Sequence, residues 1–287
     1  MAIAVSGVSL WVALSPAVPT PEKADWLAAG RAVSERFETG DVLRFDPFWL
    51  DPPIALFEPF GGQPPPVFRG LPADEIINPS YTRVWVLTAF DRDAPRAPAG
   101  AGLVEELPLG AGLTLRGWTL PPSPVKRDLL ADLDSAVVER WAPGQPGKRR
   151  CHWRNDRHDC KGRHWETVEL STQHVGGAPR RCMVLHPYPN HGTVGVTWRN
   201  VELGSAILIR SGFTLEAARN EKGSAVKLRV FVDNQLVLDR IEPPHAWHFD
   251  SSDIGTETGT TADVRIEATA EDERFRDLCV EAFVLER

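Results

Sequence analysis

Hydrophobic positions recur with two different periods along the chain, and the period changes near residue 145. In the first part, "PTPEKADWLAAGRAVSERFETGD" repeats apolar residues at helical spacing over residues 26–37, and Gly40 follows as a stop signal. Thr20, ahead of a proline and an acid, is typical of a helix start. "DVLRFDPFWL" and "TRVWVLTAF" then have the apolar and β-branched character of strands. This order predicts a small α/β layer with parallel strand pairing over residues 21–145.

A second helical period leads into a break in composition. "VKRDLLADLDSAVVERW" predicts an amphipathic helix from about Val125 to Trp141. "APGQPGKRR" follows, and its Pro and Gly residues with a terminal charge cluster indicate a domain boundary. We therefore expect a second domain over residues 149–287.

Strand-like runs at regular spacing fill this second part, and turn signals separate them. No helical pattern of useful length interrupts the runs, which predicts an antiparallel β-sandwich or jelly roll. The fold class expected for the whole chain is therefore α/β plus all-β. The runs are "ETVELST", "RCMVLH", "TVGVTW", "AILIRSGF", "VKLRVFVD", "QLVLDR", "ADVRIEATA" and "LCVEAFVL".

The first fourteen residues, "MAIAVSGVSLWVAL", carry no charge. A membrane-spanning helix needs about 20 apolar residues, and a secretory signal has Lys or Arg before its apolar run. Two interpretations of residues 1–20 remain open: a buried apolar segment of the first domain, or the end of a membrane helix.

Charge and tryptophan content bear on the partner. The chain of 287 residues has a net charge of −7, which argues against nucleic acid because a phosphate-binding face needs an excess of Lys and Arg. Trp occurs 10 times against 2 Tyr. Exposed indole rings suit sugar-binding and interfacial surfaces, so a glycan or glycolipid is the expected partner.

The four cysteines lie beyond residue 150 and are even in number, which favours two disulfides outside the cytoplasm. Cys151–Cys160 would close a short loop, and Cys182 and Cys279 lie on apolar strands that a sandwich can place side by side. The other two connectivities stay open. Zinc is the alternative for "CHWRNDRHDCKGRHW", but the spacing lacks the usual Cys pair, and no metal or cofactor is predicted.

Catalysis has weaker support in the sequence than binding. Paired carboxylates of a hydrolase could come from Asp46 and Asp51, or from Asp91 and Asp93, which follow predicted strands. The chain has no G-x-S-x-G, P-loop or Rossmann glycine motif. A hydrolase with carboxylate or His-metal chemistry is therefore the alternative function.

Aromatic and polar residues near sandwich turns are the candidate binding residues. Trp rings beside Arg, Asn or His can stack on a sugar while their neighbours bind its hydroxyls. The alternative is that Trp198 and Trp247 are core residues of the sandwich. The candidates are Trp198, Arg199, Asn200, His245, Trp247 and His248.

Two segments resemble known families. "ADWLAAGRAVSERFETGDVLRFDPFWLDP" with "TRVWVLTAF" resembles the soluble stretch after the last membrane helix of bacterial dolichyl-phosphate-mannose mannosyltransferase-like proteins, with Asp25-Trp26 and Gly40-Asp41 at the matching places. This resemblance covers about the first 90 residues. It implies that residues 1–20 are a membrane-helix end.

"VKLRVFVDNQLV" and "AWHFDSSDIGTETGTTADVRIEATA" are similar to a carbohydrate-binding module with a galactose-binding-like jelly roll, including its Trp strand. The usual Gly after the turn Asp is Asn234 here, and Asn tolerates a positive φ.

Together these resemblances imply a non-catalytic glycan-binding or accessory region of an extracytoplasmic, membrane-tethered glycosyltransferase-related protein. A structural or protein-interaction module of the cell envelope would leave the same sequence pattern.

Overall fold

The computed structural model describes residues 19–47, 50, 52–60, 65, 67–69, 81–93, 97–161, 165–176, 178–242, 247–255 and 259–286. Within these residues, the chain up to Pro121 forms one unit and the chain from Pro122 forms another. The division therefore lies at Pro121, whereas the Pro- and Gly-rich segment had predicted it near residues 145–149. Residues 1–18 lie outside the described residues. No helix in the described part of the chain is long and apolar enough to cross a membrane.

Helix α1 (Lys23–Ser34) begins after Glu22, whose backbone N–H donates to Asp25 Oδ2 at 2.8 Å. The predicted start at Thr20 was thus slightly early, because the carboxylate of Asp25 supplies the cap. The helix ends six residues before Gly40. Its buried face contains Trp26, Ala29 and Val33, at the helical spacing that the sequence showed.

A five-stranded sheet accompanies this helix in the first unit, in the order β2-β1-β3-β5-β4. β1 pairs in parallel with β2 and β3, while β5 pairs antiparallel with β3 and β4. The α/β layer with parallel pairing is therefore confirmed, with two antiparallel strands added. The strands are β1 (Asp41–Asp46), β2 (Val67–Arg69), β3 (Arg83–Thr88), β4 (Gly102–Gly110) and β5 (Leu113–Thr119), and 3-10 helices η1 (Ile54–Leu56) and η2 (Glu58–Phe60) lie between β1 and β2.

The predicted helix from Val125 to Trp141 is wrong. Strand β6 (Val125–Asp128), a kinked 3-10 helix η3 (Leu129–Ser135) and strand β7 (Val137–Trp141) occupy this segment. The leucines of η3 are buried, so the apolar spacing that resembled a long helix serves one short turn. The flanking residues instead join the ladders of the second unit, where sheet pairing outweighs their helical pattern.

The second unit is a β-sandwich of two antiparallel sheets, which confirms the predicted fold class. The larger sheet has eight strands in the order β17-β14-β19-β12-β11-β10-β9, with β6 also paired to β19, and the smaller sheet has the order β16-β15-β18-β13-β7-β8. The remaining strands are β8 (Arg149–Arg150), β9 (His152–Arg154), β10 (Arg157–Asp159), β11 (Thr167–Val175), β12 (Ala178–Leu185), β13 (Thr193–Glu202), β14 (Ala206–Phe213), β15 (Val226–Val232), β16 (Gln235–Glu242), β17 (Trp247–Asp253), β18 (Thr261–Ala270) and β19 (Leu278–Leu285), and a short helix α2 (Leu215–Arg219) follows β14.

Two disulfides close the sandwich, and both predicted pairings are confirmed. Cys151 bonds to Cys160 at the ends of the β9–β10 hairpin, and Cys182 on β12 bonds to Cys279 on β19. Disulfides persist in oxidising compartments, so this pair of bonds indicates an extracytoplasmic protein.

The hairpin between β15 and β16 turns at Asp233 and Asn234, which both have positive φ, at 46° and 67°. This is the backbone that a two-residue hairpin requires, and Asn adopts it in place of the glycine usual in the resembling modules.

Candidate functional site

The candidate site lies on the outer face of the larger sheet, at its edge strand β17. In the neighbouring strand β14, Ile207 and Ile209 belong to the core between the sheets, so Leu208 and Arg210 point outward. Arg210 is directly opposite Phe249, and opposite residues share a face. The outer face of β17 therefore carries four side chains: Trp247, Phe249, Ser251 and Asp253.

Trp247 is held in place from several sides. Its ring packs against the cluster that contains the Cys182–Cys279 disulfide, and the guanidinium carbon of Arg180 lies 4.0 Å from the ring centroid. Gly176 has a φ of +59°, and a Cβ at this position would lie 3.0 Å from the Cβ of Trp247. These contacts leave Trp247 partly buried with a fixed ring orientation.

The indole Nε1 of Trp247 is buried and has no hydrogen-bond partner among the described residues. A buried N–H donor without a partner costs free energy, since water has been removed and nothing replaces it. This donor is a polar feature of the site that the surrounding protein leaves unused.

Phe249 is the most accessible ring of the site, with 63% of its surface exposed. On the neighbouring strand β14, Arg210 is buried, and its Nη1 lies 3.5 Å from Oε2 of Glu281. Burial raises the pKa of Glu281, and the positive charges of Arg210 and Arg180 oppose that rise. An exposed aromatic ring therefore stands over a buried charged pair.

No family model and no curated protein matches this chain. Solved structures with similar regions include several carbohydrate-binding modules and an acetyl xylan esterase from Butyrivibrio proteoclasticus. The CBM51-2 and INT domains of Clostridium perfringens ZmpB share 12% identity at a TM-score of 0.31, over 41% of this chain and 26% of that one. The CBM51 of C. perfringens GH95, solved with methyl-galactose, shares 11% identity at a TM-score of 0.27, over 43% and 77%. A family 35 carbohydrate-binding module from Clostridium thermocellum shares 16% identity at a TM-score of 0.24, over 40% of this chain and 84% of that one.

The chain thus spans about a quarter of the first of these structures. The assignment of a β-sandwich rests on the strand order of the protein itself rather than on these likenesses.

Trp198 does not belong to the site, which corrects the prediction that it could stack on a ligand. Its side chain is 2% exposed and lies in the core between the sheets. Arg199 and Asn200 are exposed, and Asn200 has a φ of +52°. These residues end β13 in the smaller sheet, close to the start of β14, whereas Trp247 pairs with Gly212 near the end of β14. The structure therefore separates the two predicted groups.

His248 follows Trp247 but points to the opposite face of β17, because successive side chains of a strand alternate. It is opposite Ser211, which contacts Glu242, and Arg240 also bonds to Glu242, with Nε at 2.7 Å from Oε1. Ser211 and Glu242 are fully buried, so this network supports the edge of the sandwich. His245 lies outside the described residues.

The Cys151–Cys160 hairpin uses its cysteines as a disulfide rather than as zinc ligands. Among the described residues, no cluster of three or more His, Cys, Asp or Glu could hold a metal ion. His158 is buried, and its Nε2 lies 2.7 Å from the carbonyl oxygen of Leu133.

The candidate carboxylates of a hydrolase lie in the first unit. Asp46 forms an ion pair with Arg92, with 3.9 Å between Oδ2 and Nε. Asp91 and Asp93 are exposed, and Asp51 lies outside the described residues. These contacts give no specific support to paired-carboxylate chemistry.

Trp247 was among the candidates from the sequence, whereas Phe249 and Arg180 were not. Phe249 could have been found from "WHFDSSD", where aromatic residues occupy alternate positions at 247 and 249. Arg180 could not, because its contact with Trp247 depends on the order of strands in the larger sheet.

Proposed function

We propose that this protein is a glycan-binding module and that it binds through the outer face of β17. The observation that carries the proposal is the pair of rings on alternate residues of this edge strand, Trp247 fixed and Phe249 exposed. An aromatic ring stacks on the apolar face of a pyranose, and two rings on one strand offer stacking positions in a row.

Polar groups beside the rings supply the second part of such a site. Ser251 and Asp253 continue the outer face of β17, and their oxygens can accept hydrogen bonds from sugar hydroxyls. A shallow site of this kind binds with micromolar to millimolar affinity, about 4–8 kcal/mol.

The wider context of this binding is also part of the proposal. We infer an accessory, non-catalytic region of an extracytoplasmic glycosyltransferase-related protein, tethered to a membrane through residues 1–20. The two disulfides support the compartment. The uncharged sequence of the first fourteen residues supports the tether.

The test compares Phe249→Ala with Phe275→Ala. Phe275 is 42% exposed on the turn between β18 and β19, so the same change is made away from β17. Both rings are exposed, so each change should alter the free energy of unfolding by less than about 0.5 kcal/mol.

Neutral oligosaccharides from a glycan array would be titrated by calorimetry. Phe249→Ala should weaken the best ligand at least about ten-fold, or about 1.4 kcal/mol, while Phe275→Ala leaves it unchanged. Equal affinities of the two variants would contradict the proposed site. An array without any bound glycan would favour the structural module of the cell envelope instead.

A further inference from the structure

The β9–β10 hairpin carries a second candidate site, on a different strand and at the opposite edge of the larger sheet from β17. The disulfide between Cys151 and Cys160 closes the hairpin, and Asn155 and Asp156 form its turn with positive φ values of 50° and 58°. The backbone of the site is therefore fixed at both ends.

A cavity of about 210 Å³ lies against this hairpin. Liquid water takes about 30 Å³ a molecule, so the space equals about seven waters. Pockets for drug-sized ligands have volumes of about 300–1,000 Å³, so this cavity suits a smaller ligand, and we consider a single sugar ring. The lining residues are Asp134, Ser135, Ala136, Arg150, Cys151, His152, Trp153 and His158.

Two rings form part of the cavity wall. Trp153 and His158 are directly opposite each other on β9 and β10, and their ring centroids lie 4.9 Å apart in an edge arrangement. His158 is 2% exposed, whereas Trp153 is 39% exposed. The buried imidazole holds the indole from one side and leaves part of it accessible for stacking.

The hydrogen bond of His158 fixes its proton. The carbonyl oxygen of Leu133 can only accept, so Nε2 must donate across the 2.7 Å contact. Burial lowers the pKa of His158, which favours the neutral ring. Nδ1 is then an acceptor, and it is buried without a hydrogen-bond partner in the described part of the chain.

The hairpin is basic although the chain is acidic. Residues 148–161 contain six Lys and Arg and two Asp, a net charge of +4, against −7 for the whole chain. Within the described structure, Arg149, Arg150 and Arg157 form no ion pair. Arg157 also lies directly opposite Arg154, although like charges in this position destabilise a sheet.

We propose that this cavity binds one unit of an acidic saccharide. Trp153 stacks on the sugar ring, Arg150 binds its carboxylate, and Asp134 accepts hydrogen bonds from its hydroxyls. Guanidinium matches a carboxylate in geometry as well as charge, and Arg150 is the lining residue that can do so. The inference rests on the proposed glycan binding, and it adds a second site and a ligand class.

The test uses oligogalacturonides as the acidic probe and neutral oligogalactosides of equal length as the comparison. Arg150→Gln removes the charge that lines the cavity. Arg149→Gln is the matched control, because the neighbouring residue of a strand points to the other face and does not line the cavity. Both arginines are exposed, so both variants should fold.

Calorimetry should show binding of the acidic probe, weakened at least ten-fold by Arg150→Gln and less than two-fold by Arg149→Gln. Trp153→Ala should weaken it as well, with Trp153→Phe retaining most of the affinity. The indole N–H signal of Trp153 in a ¹⁵N–¹H spectrum should shift when the acidic probe binds.

Three results would overturn the inference. They are no binding of the acidic probe, equal losses from Arg150→Gln and Arg149→Gln, and equal binding of a DNA oligonucleotide of the same charge, which would indicate a general polyanion surface. Phe249→Ala separates this inference from the proposed function, because it should not alter binding of the acidic probe. Failure of the neutral glycans alone would contradict only the β17 site.

Discussion

Removing the Cys182–Cys279 disulfide tests how the sandwich is held together. The bond joins β12 and β19 across a sequence separation of 97 residues, and Trp247 packs against it. The double change Cys182→Ala with Cys279→Ala frees this loop in the unfolded chain. The matched control is Cys151→Ala with Cys160→Ala, where the separation is 9 residues.

Loop entropy gives the expected magnitudes. The entropy that the unfolded chain loses on loop closure corresponds to about 4.7 kcal/mol for the Cys182–Cys279 loop and about 2.6 kcal/mol for the Cys151–Cys160 loop. Small domains have a free energy of unfolding of about 5–15 kcal/mol, so the longer loop accounts for a large part of it. Removing the longer bond should therefore destabilise the sandwich by about 2 kcal/mol more than removing the shorter one.

Urea denaturation would measure both losses, with amide signals of β12 and β19 reporting the sandwich separately from the first unit. The affinity for neutral glycans should also fall in the variant without Cys182 and Cys279, because the ring of Trp247 loses part of the surface against which it packs. A loss from the shorter loop that equals or exceeds the loss from the longer one would refute the reasoning.

Two further predictions concern buried rings. Trp198→Ala should lower the free energy of unfolding by about 3–5 kcal/mol, because the ring fills the core between the sheets, and it should leave glycan affinity unchanged in calorimetry at temperatures where the variant is folded. His158 has a lowered pKa in the folded state, so its contribution is complete above the ordinary histidine pKa and is lost as the pH falls through the folded value. The free energy of unfolding should therefore decrease from pH 7 to pH 5, and it should decrease less in the His158→Gln variant. Chemical denaturation at several pH values would measure both, and an equal decrease in the two proteins would show that another group is responsible.

Much of the sandwich could be predicted from the sequence, because its strands alternate or are apolar throughout. "VKLRVFVD" shows buried and exposed positions in turn in β15, and "LCVEAFVL" is buried along all of β19. These patterns hold whatever the neighbouring strands are. Turn residues such as Asp233 and Asn234 added the connections.

The segment from Val125 to Trp141 shows where pattern alone fails. Leucines one and four positions apart fit a helix, but they also fit the short 3-10 turn of η3. The choice depends on β13 and β19, which supply ladder partners for the flanking strands from more than 50 residues away in sequence. Local spacing contains no information about such partners.

The candidate sites were predicted only in part for the same reason. Trp247 could be named from its surroundings in sequence, but its fixed orientation depends on Arg180 of β12 and on Gly176 in the turn after β11. The disulfide that closes the hairpin between Cys151 and Cys160 was predicted correctly. Its cavity was not predicted, because residues of η3 form part of the wall.

The position of β19 has a consequence for how the protein is made. This strand follows every other strand of the sandwich in sequence, yet it lies between β14 and β12 in the larger sheet. Until β19 has been synthesised or exported, β14 and β12 each have one edge without a hydrogen-bonded neighbour. Unpaired strand edges of this kind promote aggregation. Long-range pairing of this kind also slows folding. We expect fragments that stop before residue 278 to need a chaperone and to leave Cys182 as a free thiol, open to wrong partners.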